Sequence, residues 1–435
     1  MFHHILRFFF CVISLLFLNC CQGQDDWTKM VQDFQKAHEL LQIDPLHIAY
    51  LDNLRSIQDA TGQTRQQELF THLQQDLDAF DRAQLEPLQQ LEYDLLNYLV
   101  RINQERLSVE SKWQQYRSSP ISEEGLATVP LGKELYPYFL QAWLDVSVNP
   151  DSLFVFGLRE SERVYAAMQE LQERSGLDSL GFIEHLKSSQ FLVETPQAVE
   201  KAIQNYADVV EPQFSRYFPD YDENPAVRVA RGTDQRLAQV PAFYRNATFF
   251  YNLFDYPFNL RQVAFLYLHE ANPGHHYELS HRRLLDEFPL RSTFYNPGYS
   301  EGWAAYIEDL ALDLGWYRDI YDEYGKWEWD MIRSVRIVLD VGLNYYDWSD
   351  EKALEFWSRY LPEQEDIARR EIARMKRWPA QVISYKYGSQ LLLEWKNRWE
   401  AEDRGSLLEF HEAVLQYGPL PFSVLENLIF KPQKS

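Results

Sequence analysis

Apolar residues in this chain recur at three- and four-residue steps almost throughout, and that spacing limits the possible folds more than any other feature. In "LQQLEYDLLNYLVRINQERL" (Leu88–Leu107) they line one side of a helix. "PDSLFVFGLRESERVYAAMQELQERSG" reads as a loop and then a helix that stops at Gly176. "SDEKALEFWSRYL" opens on Ser349 as an N-cap, with Lys352 rather than Glu three residues later, so the cap is single and not reciprocal. Strand signals are few, the best being "AFYRNATFFYNLF" (Ala242–Phe254). Loops are expected at 117–132, 218–225 and 288–299. The pattern predicts a mostly α, large helical fold with few short strands. There is no internal repeat and no long Gly/Ser linker. Two lobes are expected, a helical region over 22–224 and a second region over 225–435.

The N-terminus reads as an export signal over residues 1–21. His3, His4 and Arg7 precede an apolar run, Phe8–Leu18, too short to span a bilayer but suited to a signal core. The only cysteines are Cys11, Cys20 and Cys21, so the exported chain builds no internal disulfide framework. A cysteine at the end of the apolar run, Cys20 or Cys21, suggests the acylated first residue of a bacterial lipoprotein; a plainly cleaved signal is the rival. The expected location is periplasmic or on the outer membrane, with membrane contact only through that lipid. The formal net charge of −23 repels phosphate backbones and argues against a nucleic-acid partner.

The chemistry concentrates in "FLYLHEANPGHHYELSH" (Phe265–His281), with four of the chain's eleven histidines around a Pro-Gly helix breaker. Three His-Glu pairs occur, at His38, His269 and His411; only His269-Glu270 has further histidines close by, and the others read as surface-helix coincidences. In a zinc-hydrolase helix two histidines four residues apart share a face, with the intervening glutamate as base. Here the next histidine is His275, six residues on. A regular helix would leave it about 120° off the face of His269. Pro273 and Gly274 can break the helix and swing His275 back. His276 is the competing ligand: seven residues restore the face, but about 10 Å of rise separates the rings.

"NPGYSEGWAAYIEDL" supplies a third ligand, Glu301, near the start of a downstream helix. Gly302 would let another backbone approach closely. Glu308 lies two turns on and is open to two readings, an orienting partner for a ligand histidine or an ordinary solvated residue, the second being commoner.

Five blocks occur in order: "HEANPGHH", "EGWAAYIE", "RSVRIVLDVGL", "EIARMKRWPAQVISYKYG" and "FHEAVLQYGPLP". Through them the chain, from about Arg231 onward, resembles the bacterial domain-of-unknown-function family 885, whose members are often lipoproteins and are regarded as zinc-peptidase-like. The resemblance implies a helical zinc-metallopeptidase-like fold with Zn2+ held by His269, His275 and Glu301, and Glu270 as base. Where the family usually has His after "D-x-G-L", this chain has Asn344; the resemblance makes it a candidate substrate-binding residue, and the change bears on efficiency or specificity, not on metal binding.

The expected activity is hydrolysis of peptide substrates. Tyr385 is the candidate donor to the oxyanion, with Tyr387 second; Arg374 is open to two readings, holding a peptide carboxylate or making a structural salt bridge. Arg333 and Arg336 read as structural. Three rivals stand beside this reading. One is a non-catalytic exported binding lipoprotein that retains the fold. A di-iron protein would need a second copy of "ELSH", and the chain has none. An esterase would need a Gly-x-Ser-x-Gly elbow on a strand-to-helix turn; the chain's match, Gly298-Tyr299-Ser300-Glu301-Gly302, follows the turn residues Asn296-Pro297 and not a strand.

Overall fold

The computed structural model describes residues 26–431, apart from 44–46, 221–225, 239, 284, 286–289, 292–293, 295 and 363. The export signal with its three cysteines, the expected lobe boundary at 224 and parts of the loops at 218–225 and 288–299 lie outside the described residues.

The described residues divide into two compact units, one of residues up to 47 with 51–119, the other of 48–50 with 120–435. The first holds helix α1 (26–40), α2 (Tyr50–Ser56) apart from its first residue, α3 (Ala60–Asp78) and α4 (Pro87–Trp113). Asp59 caps α3 by accepting from Gly62 N–H, and Pro87 opens α4, where its missing N–H is no loss. The apolar stripes of α3 (Phe70, Leu73, Leu77) and α4 (Leu91, Leu95, Leu99) are buried. Trp27 of α1 donates its indole N–H to the buried Glu92 of α4 at 2.7 Å.

The second unit is also mostly α. It contains α5 (Gly132–Leu144), α6 (Pro150–Ser175), α7 (Ser179–Leu186) and α8 (Pro196–Val210). After a strand-rich interval come α9 (Val263–Glu270), α10 (His275–Arg282), α11 (Pro297–Asp313) and α12 (Ile320–Asn344). The chain continues with α13 (Asp350–Tyr360), α14 (Glu365–Arg377), α15 (Ile383–Ala401), α16 (Leu407–Leu415) and α17 (Phe422–Ile429). Helix α6 begins at Pro150 itself, not after a loop: Asn149 caps it and proline suits its first position, while Gly176 ends it in the left-handed region. Ser349 caps α13 singly, as expected.

Helices α11 and α12 form the centre, with α15 packed along α11, α6 along α12, and α9 against both. Nearly every residue of α12 from Asp330 to Asn344 is buried. The strands are short. β1 (Leu192–Val193) pairs antiparallel with β5 (Phe258–Asn259). β2 (Arg228–Arg231), β3 (Ala242–Arg245) and β4 (Thr248–Tyr251) form a sheet in the order β2-β4-β3, so β3 is an edge. The stretch read as one strand is thus a hairpin, turning at Asn246 and Ala247, both at positive φ.

Candidate metal centre

Helix α9 is buried from end to end, and its last two residues are His269 and Glu270. It ends because Ala271 leaves helical dihedrals and the chain doubles back through Asn272, Pro273 and Gly274. Only glycine fits there: a Cβ on Gly274 would lie 2.0 Å from the His269 carbonyl oxygen. Trp303 of α11 pins the turn by donating its indole N–H to the Pro273 carbonyl at 2.8 Å. Helix α10 then starts at His275, whose ring lies 4.8 Å from that of His269 and nearly perpendicular to it.

Glu301, in the second turn of α11, completes the group. Its Oε2 is 3.8 Å from His269 Nε2 and 3.5 Å from His275 Nε2. Ligand atoms about 2.1 Å from one tetrahedral zinc ion lie about 3.4 Å apart, so the spacing fits a single ion to a few tenths of an ångström. Glu270 belongs to the same cluster: its carboxylate and the two imidazoles lie within 4.8 Å of one another. The donor set, two imidazoles with carboxylate oxygen, suits zinc.

Charge also favours a cation. Burial opposes a charged His275, yet Glu301, Glu270 and Glu278 hold its pKa up at about 9. Glu278 is almost fully buried, both its oxygens lack a hydrogen-bond partner, and burial pushes it up to about 7. Behind His269, Glu308 accepts from Nδ1 at 2.7 Å and receives both arms of Arg333, at 2.7 and 2.8 Å. Burial alone would raise the Glu308 carboxyl; Arg333 and His269 hold it at about 2. With its Nδ1–H donated to Glu308, His269 presents the Nε2 lone pair to the centre.

The centre lines a cleft of about 770 Å³. Edge strand β3 contributes Ala242, Phe243 and Tyr244 to its wall, and Tyr385 and Arg374 lie on it as well. Tyr385 is half-buried, and desolvation together with the nearby Glu301 raises its phenol. Arg374 donates to Gln381 at 2.7 Å.

Several sequence expectations change. Asn344 does not line the cleft; it is buried, donates to the Met375 carbonyl and accepts from Leu126 N–H, so it acts within the core. His276, the competing ligand, is buried and turned to Tyr244, 3.1 Å away. Tyr387 packs edge-on against Phe156 and is not in the cleft wall. Glu308 is not solvated, and Arg333 and Arg336 both face the cleft. His411 is not a surface coincidence. Its Nδ1–H donates to the Tyr217 carbonyl, Nε2 accepts from Tyr306, and burial holds the ring neutral with a pKa of about 3. Periodicity could have flagged it: His411 follows Leu407, Leu408 and Phe410 on a short apolar helix.

No curated protein matches this chain. Among solved structures, a candidate lipoprotein from Colwellia psychrerythraea is similar, at 25% identity and a TM-score of 0.65. That match covers 83% of this chain, which spans only 66% of the Colwellia one. A candidate lipoprotein of unknown function from Shewanella oneidensis shares the fold at 17% identity and a TM-score of 0.61, over 87% of this chain and 73% of its own. The family model described as "Bacterial protein of unknown function (DUF885)" matches residues 111–429, and the chain belongs to that family.

Proposed function

We propose that this protein is an exported zinc-dependent hydrolase that cleaves peptide bonds. The observation that carries the reading is the meeting of His269, His275 and Glu301 beside Glu270 at the wall of one cleft. Zinc in such a set supplies Lewis acidity toward a carbonyl and brings water within reach of deprotonation near neutral pH.

The remaining work falls to the chain. Glu270, next to a ligand and on the cleft wall, takes a proton from the attacking water and returns it to the leaving amine. Tyr385 donates its hydroxyl to the oxygen that gains charge as the carbonyl is attacked. Glu308 fixes the His269 tautomer. Peptides are favoured over other substrates because β3 offers a strand edge along the cleft, where an extended backbone can pair. Export as a lipoprotein follows the N-terminal apolar run ending at Cys20 and Cys21, and similar solved structures are candidate lipoproteins.

The test is a pair of variants. Glu270→Gln is expected to retain one zinc per chain by metal analysis and to lose peptide hydrolysis by at least about 100-fold. His269→Ala is expected to lose both. Undiminished turnover in purified Glu270→Gln protein would remove the assigned base.

A further inference from the structure

Beside the candidate metal centre the cleft wall carries guanidinium groups that, among the described residues, outnumber the carboxylates paired with them. Arg336 of α12 and Arg374 of α14 share a single carboxylate, Glu371. Arg336 Nε lies 2.7 Å from Glu371 Oε2, a charge contact outside hydrogen-bonding angles, and Arg374 Nη1 is 3.7 Å from the same oxygen. Arg374 Nε has no partner although it is buried. Arg370, one turn before Arg374, adds a third guanidinium to the same wall.

Other cations on the cleft are matched one to one: Arg261 with Glu328 at 2.5 Å, Arg333 with Glu308. A buried guanidinium without its own counter-ion is costly, and Arg336 shows it: burial pulls its pKa down, with Arg374 adding repulsion against the help of Glu371. The surplus is not remote from the chemistry. Burial opposes the Arg374 charge, but Tyr385, Glu371 and Glu301 hold it, so this guanidinium sits alongside the candidate metal ligands and the strain falls on Arg336.

We infer that Arg336 and Arg374 bind the free C-terminal carboxylate of the peptide, making the enzyme a carboxypeptidase. The inference rests on the peptidase reading above and names its substrate class. A planar guanidinium holds a carboxylate through two parallel hydrogen bonds, and a second cation beside it neutralises what Glu371 leaves over. With the carboxylate held there, the bond presented to Glu270 is that between the last two residues. That C–N bond breaks, the water's hydroxyl joins the acyl carbon, and its proton passes through Glu270 to the departing amino acid. A carboxylate could instead come from an acidic side chain within a peptide, and the experiment separates the two.

Metal-stripped wild-type protein is titrated calorimetrically with N-acetyl-Ala-Phe-Leu, with its C-terminal amide, and with N-acetyl-Ala-Phe-Glu amide. The free acid is expected to bind at least about tenfold tighter than either amide. Arg374→Gln, with folding checked by its urea midpoint, should remove that preference by weakening the acid; Arg336→Gln should do the same if it folds. Equal affinity for acid and amide, binding of none of the three, a preference for the glutamyl amide, or discrimination surviving in folded Arg374→Gln would each overturn the inference. With zinc restored, release of leucine from the acid and no cleavage of its amide is expected, and equal cleavage of both would also overturn it. If the acid is preferred but neither peptide is cut, the hydrolase reading fails and the carboxylate site stands.

Discussion

Glu308 has no solvent exposure, yet it stays ionised because it receives a hydrogen bond from His269 and two from Arg333. Each partner depends on it. Without the carboxylate, His269 loses the group that fixes its tautomer, and Arg333 becomes a buried cation with no counter-ion. Glu308→Ala is therefore expected to weaken zinc binding about 10- to 100-fold and to cost about 3–5 kcal/mol of stability. Zinc titration of the stripped variant and urea unfolding measure the two effects. Wild-type zinc affinity in a folded Glu308→Ala protein would mean that something else orients His269. The sequence offered the orienting role as one of two readings, because Glu308 shares a face with Glu301; a glutamate there is more often solvated, and only the packing of α9, α11 and α12 decides between them.

The element-scale feature that holds Glu301, the proposed third ligand, is the crossing of α11 and α15. A Cβ on Gly302 would lie 2.6 Å from the Gly388 carbonyl carbon, and one on Gly388 would lie 2.2 Å from the Gly298 carbonyl oxygen. The helices can touch at that distance only because both residues lack side chains, and Glu301 is adjacent in sequence to the contact. Gly302→Ala should push the helices apart, lowering stability by about 1–3 kcal/mol and displacing Glu301, so that zinc affinity falls with it. An unchanged urea midpoint would show that α11 and α15 can separate freely. That Gly302 would meet another backbone was readable from its position beside a ligand. That the backbone is Gly388's was not, because the two lie 86 residues apart. The hairpin at Ala242–Tyr251 was half legible: aromatic content announced strand, but a turn made by Asn246 and Ala247, without glycine, hid the reversal.

At the scale of the whole molecule, buried ionisable groups couple stability to pH. Burial pushes the Asp340 carboxyl up to about 7, against hydrogen bonds from Tyr136 and Ala380 N–H, while the unfolded chain has an ordinary aspartate near 3.8. The folded state thus holds a proton between those values that the unfolded state has released. The contribution is fully present below about 4 and is lost as pH rises toward 7, at up to about 1.4 kcal/mol per unit. Asp340→Asn keeps the acceptor and removes the titration. Its stability relative to wild type should therefore rise between pH 5 and pH 8, measured as the difference in urea midpoints. A difference that does not change with pH would show that Asp340 titrates normally in the fold.

The sequence by itself determined the helical character, several caps and stops, the family, and the candidates His269, Glu270 and Glu301, with His275 set against His276 for the second imidazole. These depend on patterns within a few turns of chain or on ordered motifs, so they can be read along one dimension. Tertiary structure decided which histidine turns inward at the Pro273–Gly274 break, that Asn344 and His411 serve the core, that Glu308 is buried, and that Arg336 and Arg374 share one carboxylate. Each of those depends on which helix faces meet. Burial and the count of opposite charges nearby, not residue type, decide what a polar side chain does there.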